Sequence, residues 1–173
     1  NNEIDFIKNG FYFAERKKGD IIESFTMPNG FNSIIYELGS EDEIEIVLDC
    51  KESYDNREWG RNYEIFEEGG YIVVKFTKKT DSREDSGSGK EEFSLYLAVK
   101  SENDAFEIND RWVERHYMND EKRNSQPFRR FVYSALRLKG RKFVFSVSKS
   151  KNSAIKESEF VFNSLNELKQ KEK

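Results

Sequence analysis

Residues 93–99 read FSLYLAV, and this stretch shows most directly how the chain folds. Large apolar residues take every second position, with Ser94, Tyr96 and Ala98 between them. The same alternation recurs in residues 43–48, 72–76 and 143–148. Because successive side chains of a strand point to opposite faces, each segment predicts a half-buried antiparallel strand.

Shorter alternating segments bring the predicted set to about ten strands, which is typical of sandwiches and barrels. They are residues 11–15, 21–26, 33–37, 63–66, 112–117 and 131–138. No helical pattern separates these strands, which argues against βαβ units. We therefore predict an all-β fold, a two-sheet antiparallel sandwich that occupies residues 1–151.

Glycine and proline mark the predicted turns. Gly69-Gly70 predicts a tight hairpin turn, since glycine adopts the positive φ that such turns need. Pro28-Asn29-Gly30 predicts a second turn, because proline presets φ and the next two residues tolerate the left-handed region. Lys139-Gly140 is expected to join two separate strands.

The C-terminal segment, residues 152–173, has a helical pattern instead. Ala154, Val161, Leu165 and Leu168 fall at helical intervals, and the remaining residues are mostly polar. Asn152 or Ser153 could serve as the N-cap. We predict an amphipathic helix that closes the β domain or links it to another domain.

The composition excludes several classes of protein. A single cysteine among 173 residues rules out an internal disulfide framework and a cysteine-rich zinc site. No apolar stretch approaches the roughly 18–20 residues of a membrane span, so we expect no membrane partner. A reducing, cytoplasmic location is expected. The sequence begins Asn1-Asn2 without an initiator methionine, which suggests a fragment or a processed product.

Charge is distributed unevenly along a chain whose net charge is −4. Acidic residues dominate residues 1–110, and basic residues dominate residues 111–151. The basic segment could form a nucleic-acid-binding face. Alternatively, basic strands could pair with acidic strands inside one domain, where opposite charges on neighbouring strands attract each other.

Few residues are suited to catalysis. His116 is the sole histidine and Cys50 the sole cysteine, so a multi-histidine metal site is impossible. We interpret His116 as a partly exposed structural residue and Cys50 as a small core residue. Carboxylates are abundant enough for an acid/base pair, but their spacing does not single one out. We expect no catalytic residue, metal or cofactor in this chain.

Two stretches combine aromatic with charged side chains. Residues 49–65 contain Tyr54, Arg57, Trp59 and Arg61, and residues 110–133 contain Trp112. Rings that stack on sugar C–H faces, beside charged groups that bind hydroxyls, favour carbohydrate recognition. The same rings could instead be core or interface anchors. Basic residues interleaved with aromatics in the second stretch are also typical of a single-stranded nucleic-acid platform.

At these stretches the sequence resembles the N-terminal β-sandwich domain of archaeal glycogen debranching enzymes, the amylo-α-1,6-glucosidases. The residues that carry the resemblance are Asp49-Cys50-Lys51, Tyr54-Asp55, Trp59-Gly60-Arg61-x-Tyr63-Glu64-Ile65, Trp112-Val113-Glu114 and Phe131-Val132-Tyr133, with the strand at residues 143–150 and the helix after it. The polar insertion at residues 78–90 and the acidic first half depart from the family pattern.

The resemblance implies a longer parent glycoside hydrolase. In that family an (α/α)-barrel carries the hydrolytic carboxylates, so the resemblance implies that this domain is non-catalytic. It would pack against the catalytic helical-barrel domain and contact α-glucan. Nucleic-acid binding through residues 111–151 is the alternative function, although the acidic balance of the whole chain argues against it. A free-standing enzyme that uses its own carboxylates is a third hypothesis.

Overall fold

The structure, a computed structural model, describes residues 4–50, 60–80, 90–103 and 105–171 of the chain. Strands make up most of this part. The elements are β1 (Phe6–Asn9), β2 (Phe13–Lys18), β3 (Ile21–Thr26), β4 (Ser33–Leu48), β5 (Arg61–Glu68), β6 (Tyr71–Thr80), β7 (Lys90–Ser101), β8 (Phe106–His116), α1 (Met118–Lys122), β9 (Arg129–Ser148), α2 (Lys151–Asn163) and α3 (Leu165–Lys171). The predicted all-β class with a C-terminal helix is confirmed.

All nine strands of the described residues belong to one antiparallel sheet. Its order is β1-β2-β3-β4-β9-β7-β6-β5, and β8 pairs with β9 beside this path. The two longest strands, β4 and β9, pair antiparallel from Ser33 opposite Ser146 to Leu48 opposite Tyr133, with two register shifts. On its other side, β9 pairs with β8 along its first half and with β7 along its last residues.

Tyr63 of β5 stacks on Tyr133 of β9 although the two strands are not neighbours in the sheet, so the sheet folds over itself to make two layers. The upper layer consists of residues 42–48 of β4, residues 129–138 of β9, and β8. The lower layer consists of the remaining parts of β4 and β9, with β5, β6 and β7. The register between β4 and β9 shifts between Glu37 and Asp42, where the layers separate. Side chains of both layers form one core cluster, so the two sheets of the predicted sandwich are two parts of a continuous sheet.

The structure corrects the predicted strand boundary at Lys139-Gly140. Lys139 and Gly140 lie within β9, paired with Glu43 and Asp42 of β4, and do not separate two strands. A Cβ atom at Gly140 would lie 2.9 Å from the Ser101 hydroxyl, so glycine here permits a close approach of β7. A glycine that serves close packing inside a strand has the same sequence signature as one that forms a turn.

The predicted glycine turns are confirmed. Gly69 and Gly70 have φ values of 59° and 77°, and they join β5 to β6 as a two-residue hairpin loop. Gly30 has a φ of 83° in the turn between β3 and β4. Both turns use the positive φ that glycine adopts without steric cost.

The C-terminal helix covers the lower layer on the face opposite the core. The predicted apolar stripe is confirmed, because all four of its residues are buried. Val161 packs with Ile35 and Val144 of the sheet. The helix begins earlier than predicted: the N-cap is Ser150, whose hydroxyl accepts a hydrogen bond from the Ser153 backbone N–H. At Ser164 the helix divides into α2 and α3.

The first three strands form an N-terminal meander at one edge of the sheet. Phe25 packs against the core cluster. The meander nevertheless has exposed apolar residues on both faces, namely Phe6, Ile7, Ile21 and Ile22. Within the described ranges, no helix has the length and apolar character needed to cross a bilayer.

Candidate functional site

An aromatic cluster connects the two layers at one end of the core. Tyr63 of β5 stacks on Tyr133 of β9, with a distance of 4.2 Å between ring centroids and an angle of 3° between ring planes. Trp112 of β8 meets both tyrosine rings nearly at right angles, with centroids 5.6 Å and 5.7 Å away. Offset-stacked and edge-to-face arrangements are the favourable geometries for aromatic pairs. We call these three rings the aromatic cluster.

Arg61 holds the cluster from one side. Its guanidinium forms an ion pair with Asp49 at 2.9 Å and donates a hydrogen bond to the Phe131 carbonyl at 3.0 Å. The same guanidinium lies 5.0 Å from the centroid of the Trp112 ring, a cation–π contact. Only 2% of the Arg61 side chain is exposed, so its guanidinium contacts the Trp112 ring from the protein interior.

Gly60 lies directly before β5 and determines where this strand begins. Its φ is +79°, and a Cβ atom there would lie 2.4 Å from the Lys79 carbonyl oxygen of β6. The Gly60 carbonyl accepts a hydrogen bond from the Lys79 N–H at 2.8 Å. Because no other residue fits this backbone without strain, Gly60 determines where Arg61 begins the strand.

Two aromatic rings of this region reach the surface. Trp112 is 42% exposed and Phe131 is 46% exposed. Trp112 is paired with Tyr133, and Glu114 is paired with Phe131, so the two exposed rings are diagonal neighbours on one face of the upper layer. The carboxylate of Glu114 shares that face. The arrangement presents an exposed aromatic surface beside an acidic group.

The tyrosine hydroxyls of the cluster are engaged within the protein. Tyr133 donates a hydrogen bond to Asp110 at 2.5 Å, and Tyr63 accepts one from the Cys50 N–H at 3.2 Å. Burial raises the pKa of both phenols, and the Asp110 carboxylate raises that of Tyr133 further. Asp110 has a φ of 43° at the irregularity that interrupts β8. Both phenols therefore remain protonated at neutral pH and serve to hold the rings.

Cys50 and His116 are the sole cysteine and the sole histidine of the sequence. Burial raises the pKa of the Cys50 thiol, which lowers the fraction of reactive thiolate. His116 is partly exposed and lies 3.1 Å from the Glu121 carboxylate. Among the described residues, no three histidine, cysteine or acidic side chains are grouped so that they could hold a metal ion.

The basic residues of β8 and β9 pair with acidic residues of β4. Glu43 lies 3.7 Å from Arg137, and Glu41 lies 3.2 Å from Lys139. Glu45 accepts hydrogen bonds from the Ser134 hydroxyl and from Arg115, and the Ser134 bond, with the positive charge of Arg115, holds its pKa below the ordinary value. Pairing of basic with acidic strands inside the domain, one of the two predicted explanations of the charge distribution, is confirmed for these residues.

The structure brings together two of the five residues of the predicted binding site. Arg61 and Trp112, 51 positions apart in the sequence, are in contact. Tyr54, Arg57 and Trp59 lie outside the described residues. The prediction omitted Tyr133 and Phe131 because strand register brings them to Trp112, and sequence spacing carries no signal of register.

Comparisons with known proteins identify no relative. No family model, curated protein or solved structure matches the chain. The site is therefore interpreted from its own geometry and from the residues that compose it.

Proposed function

We propose that this chain is a non-catalytic accessory domain of a glucan-debranching glycoside hydrolase, and that it contacts α-glucan through the exposed face around Trp112. The observation that carries the glucan contact is the exposed Trp112 ring, held from inside by Arg61 and flanked by the exposed Phe131. The parent enzyme is inferred from the sequence resemblance described above.

The geometry suits a sugar ligand for two reasons. An exposed indole and an exposed phenyl ring offer flat apolar surfaces to the C–H faces of glucose units. The Glu114 carboxylate beside them can accept hydrogen bonds from sugar hydroxyls. Arg61 and the two tyrosines restrict the Trp112 ring, so less side-chain entropy is lost when a ligand binds.

Two further observations support an accessory role. The chemistry available to Cys50 and His116 does not support a nucleophile and base pair. The N-terminal meander exposes apolar side chains on both faces, as expected of a surface that packs against another domain. The ion pairs between β4 and β9 leave less uncompensated positive charge for the alternative, a nucleic-acid partner.

The glucan contact can be tested by tryptophan fluorescence. The sequence has two tryptophans, so the variant Trp59→Phe makes Trp112 the sole source of tryptophan emission. We expect titration with maltoheptaose to change this emission saturably in the millimolar range. In calorimetry, Trp112→Ala should weaken binding about tenfold, which is the loss expected from removing one good ring contact.

The matched control is Phe160→Ala, which removes an exposed ring of α2 on the opposite side of the lower layer. It should leave maltoheptaose binding unchanged. Absence of any response at millimolar sugar, or equal losses from the two alanine variants, would reject the glucan contact.

A further inference from the structure

Among the strands that the structure describes, none lies beside one long edge of the sheet. β3 pairs with β4 from Ile35 to Leu38 and no further, while β4 continues to Leu48. In the described part of the chain, no backbone group from Asp42 to Leu48 bonds to another strand on the side away from β9. About half of the N–H and C=O groups of such a strand point to its open side. We call this the β4 edge.

A groove runs beside the β4 edge, between the upper layer and the inner face of the N-terminal meander. It has a volume of about 460 Å³. The aliphatic residues that line it are Ile4, Ile21, Leu38 and Ile44. Tyr36 and Arg16 of the same groove both bond to Glu23, so these polar groups are satisfied within the protein. Lys18, Asp42, Glu43 and Glu45 also line the groove, so its aliphatic side chains lie among charged groups and next to an open row of backbone groups.

Among the described residues the sheet has further free edges at β1, β5 and β8, and those at β1 and β8 are less suited to pairing. β1 has four residues and contains Lys8, and short charged strands discourage pairing. β8 is interrupted between Ile108 and Arg111 by a register shift, and such irregularities also protect an edge. The β4 edge also has a register shift, between Ile46 and Val47, but the extra residue there is Ala135 of β9. Seven consecutive residues of β4 therefore lie beside a groove that contains four aliphatic side chains.

The charge of the β4 edge selects the kind of strand that would pair with it. Glu43 and Glu45 alternate with Ile44 and Ile46, so the acidic residues share one face and the isoleucines share the other. The Glu43 side chain is 58% exposed and is 3.7 Å from Arg137, so it can accept a second cation. A second copy paired antiparallel about Ile44 would place Glu43 opposite Glu45, which is unfavourable.

We propose that the β4 edge binds an extended segment of a partner protein in which basic and apolar side chains alternate. The segment adds a strand to the upper layer through backbone hydrogen bonds. Its apolar side chains enter the groove beside Ile21 and Ile44, and its basic side chains lie against Glu43. This surface is separate from the exposed aromatic face, so the inference does not depend on the proposed glucan contact.

The probe is a capped synthetic peptide of about eight alternating lysine and valine residues, the length of an ordinary strand. One control has the same composition with the lysines and valines in two blocks. A second control carries N-methyl groups on every other amide, which removes backbone donors from one side of the strand. We expect the alternating peptide to bind at least about tenfold more tightly than either control, because each control loses several paired contacts.

Two variants of the protein form a matched pair. Ile21 and Ile22 are neighbours in β3 with exposures of 39% and 42%, but Ile21 lines the groove and Ile22 points to the opposite face. Ile21→Ser should weaken peptide binding about tenfold, since it removes one buried aliphatic contact, and Ile22→Ser should change it less than about twofold. Bound peptide should also slow amide hydrogen exchange in residues 42–48.

Three results would overturn the proposal. The block peptide could bind as tightly as the alternating one, Ile21→Ser and Ile22→Ser could have equal effects, or residues 42–48 could stay unprotected when peptide is bound. A fourth result would also overturn it. If sedimentation shows that the protein alone is a dimer, and hydrogen exchange shows that residues 42–48 are protected in that dimer, the β4 edge binds a second copy of the chain. Because Trp112→Ala should leave peptide binding unchanged, failure of the glucan contact is distinguishable from failure of this proposal.

Discussion

The centre of the sheet and the N-terminal meander are parts of one hydrogen-bonded structure, but they are buried very differently. In the centre, Val73, Ala98 and Val144 are fully buried, because the core covers one face of these strands and α2 and α3 cover the other. In the meander, all four residues of β1 are exposed. Sheet hydrogen bonds alone therefore do not determine burial.

This difference shows where the stability of the fold resides. The free energy of burial scales with the apolar area removed from water, and the meander removes little of it. Its connection to the centre relies on pairing with β4, on Phe25 and on the hydrogen bond that Glu23 accepts from Tyr36. We therefore expect substitutions of similar chemistry to cost much more in the centre than in the meander.

The largest expected effect compares two phenylalanines. Phe143 in the centre is fully buried, whereas Phe6 in the meander is 42% exposed. Phe143→Ala should lower the free energy of unfolding by about 4 kcal/mol, because it removes buried area and leaves a cavity. Phe6→Ala should cost less than about 1 kcal/mol, as is typical of surface substitutions. Urea denaturation measures the free energy of unfolding of both variants. Similar losses would contradict the proposal that burial stabilises the centre much more than the meander.

The next effect compares two glycines with positive φ. Gly60→Ala should cost about 3 kcal/mol, because the new Cβ atom would collide with the Lys79 carbonyl in addition to the left-handed backbone strain. Gly19 in the meander has a φ of +59°, and no atom of the described residues lies within 4 Å of the position that a Cβ atom would take there. Gly19→Ala should therefore cost about 1 kcal/mol, from backbone strain alone.

Both glycine variants can be measured in the same denaturation experiment. Gly60→Ala should also change the near-ultraviolet circular dichroism of the protein, because Gly60 positions Arg61 against Trp112. An equal cost for the two substitutions would show that close packing at Lys79 contributes nothing beyond the strain of the left-handed backbone.

Local patterns in the sequence predicted the glycine turns, the helix stripe and most of the strands, but they missed β1 and divided β4 into two strands, residues 33–37 and 43–48. Residues 72–74 of β6, which read IVV, are apolar without interruption because this strand is buried on both faces. The single long strand β9 was not predicted. The continuity of β9 at Gly140 depends on pairing with Asp42 and on a close approach to Ser101, and a local pattern cannot reveal contacts between residues so distant in sequence.

For a related physical reason, the sequence indicated only some of the residues that meet in the candidate site. Arg61 and Trp112 were recognised by residue type, since arginine and tryptophan near other aromatic residues favour recognition sites. Their contact depends on the folding of one layer over the other, and the position of Phe131 depends on the register of β8 with β9. Residue type therefore predicted members of the site, while the topology determined which of them meet.

The smallest expected effect concerns the connection between the two regions. Glu23 of the meander bonds to Arg16 and accepts a hydrogen bond from Tyr36 of β4, and these bonds hold its pKa below the ordinary value of 4.5. A lowered folded-state pKa contributes stability at pH values above 4.5, and this contribution is lost as the pH falls through the folded-state pKa. Glu23→Gln should therefore cost about 1 kcal/mol at neutral pH, the scale of one charged hydrogen bond at a partly exposed position.

The pH dependence separates this electrostatic contribution from a packing effect. Urea denaturation of the native protein and of Glu23→Gln should give unfolding free energies that converge as the pH falls from 4.5 through the folded-state pKa of Glu23, because the native Glu23 is then protonated and uncharged. Tyr36→Phe removes one bond of the same network and leaves the Arg16 ion pair, so its pH dependence should stay close to that of the native protein. If the cost of Glu23→Gln stays constant with pH, the charge of Glu23 does not stabilise the connection, and the pairing of β3 with β4 and the packing of Phe25 must hold the meander in place.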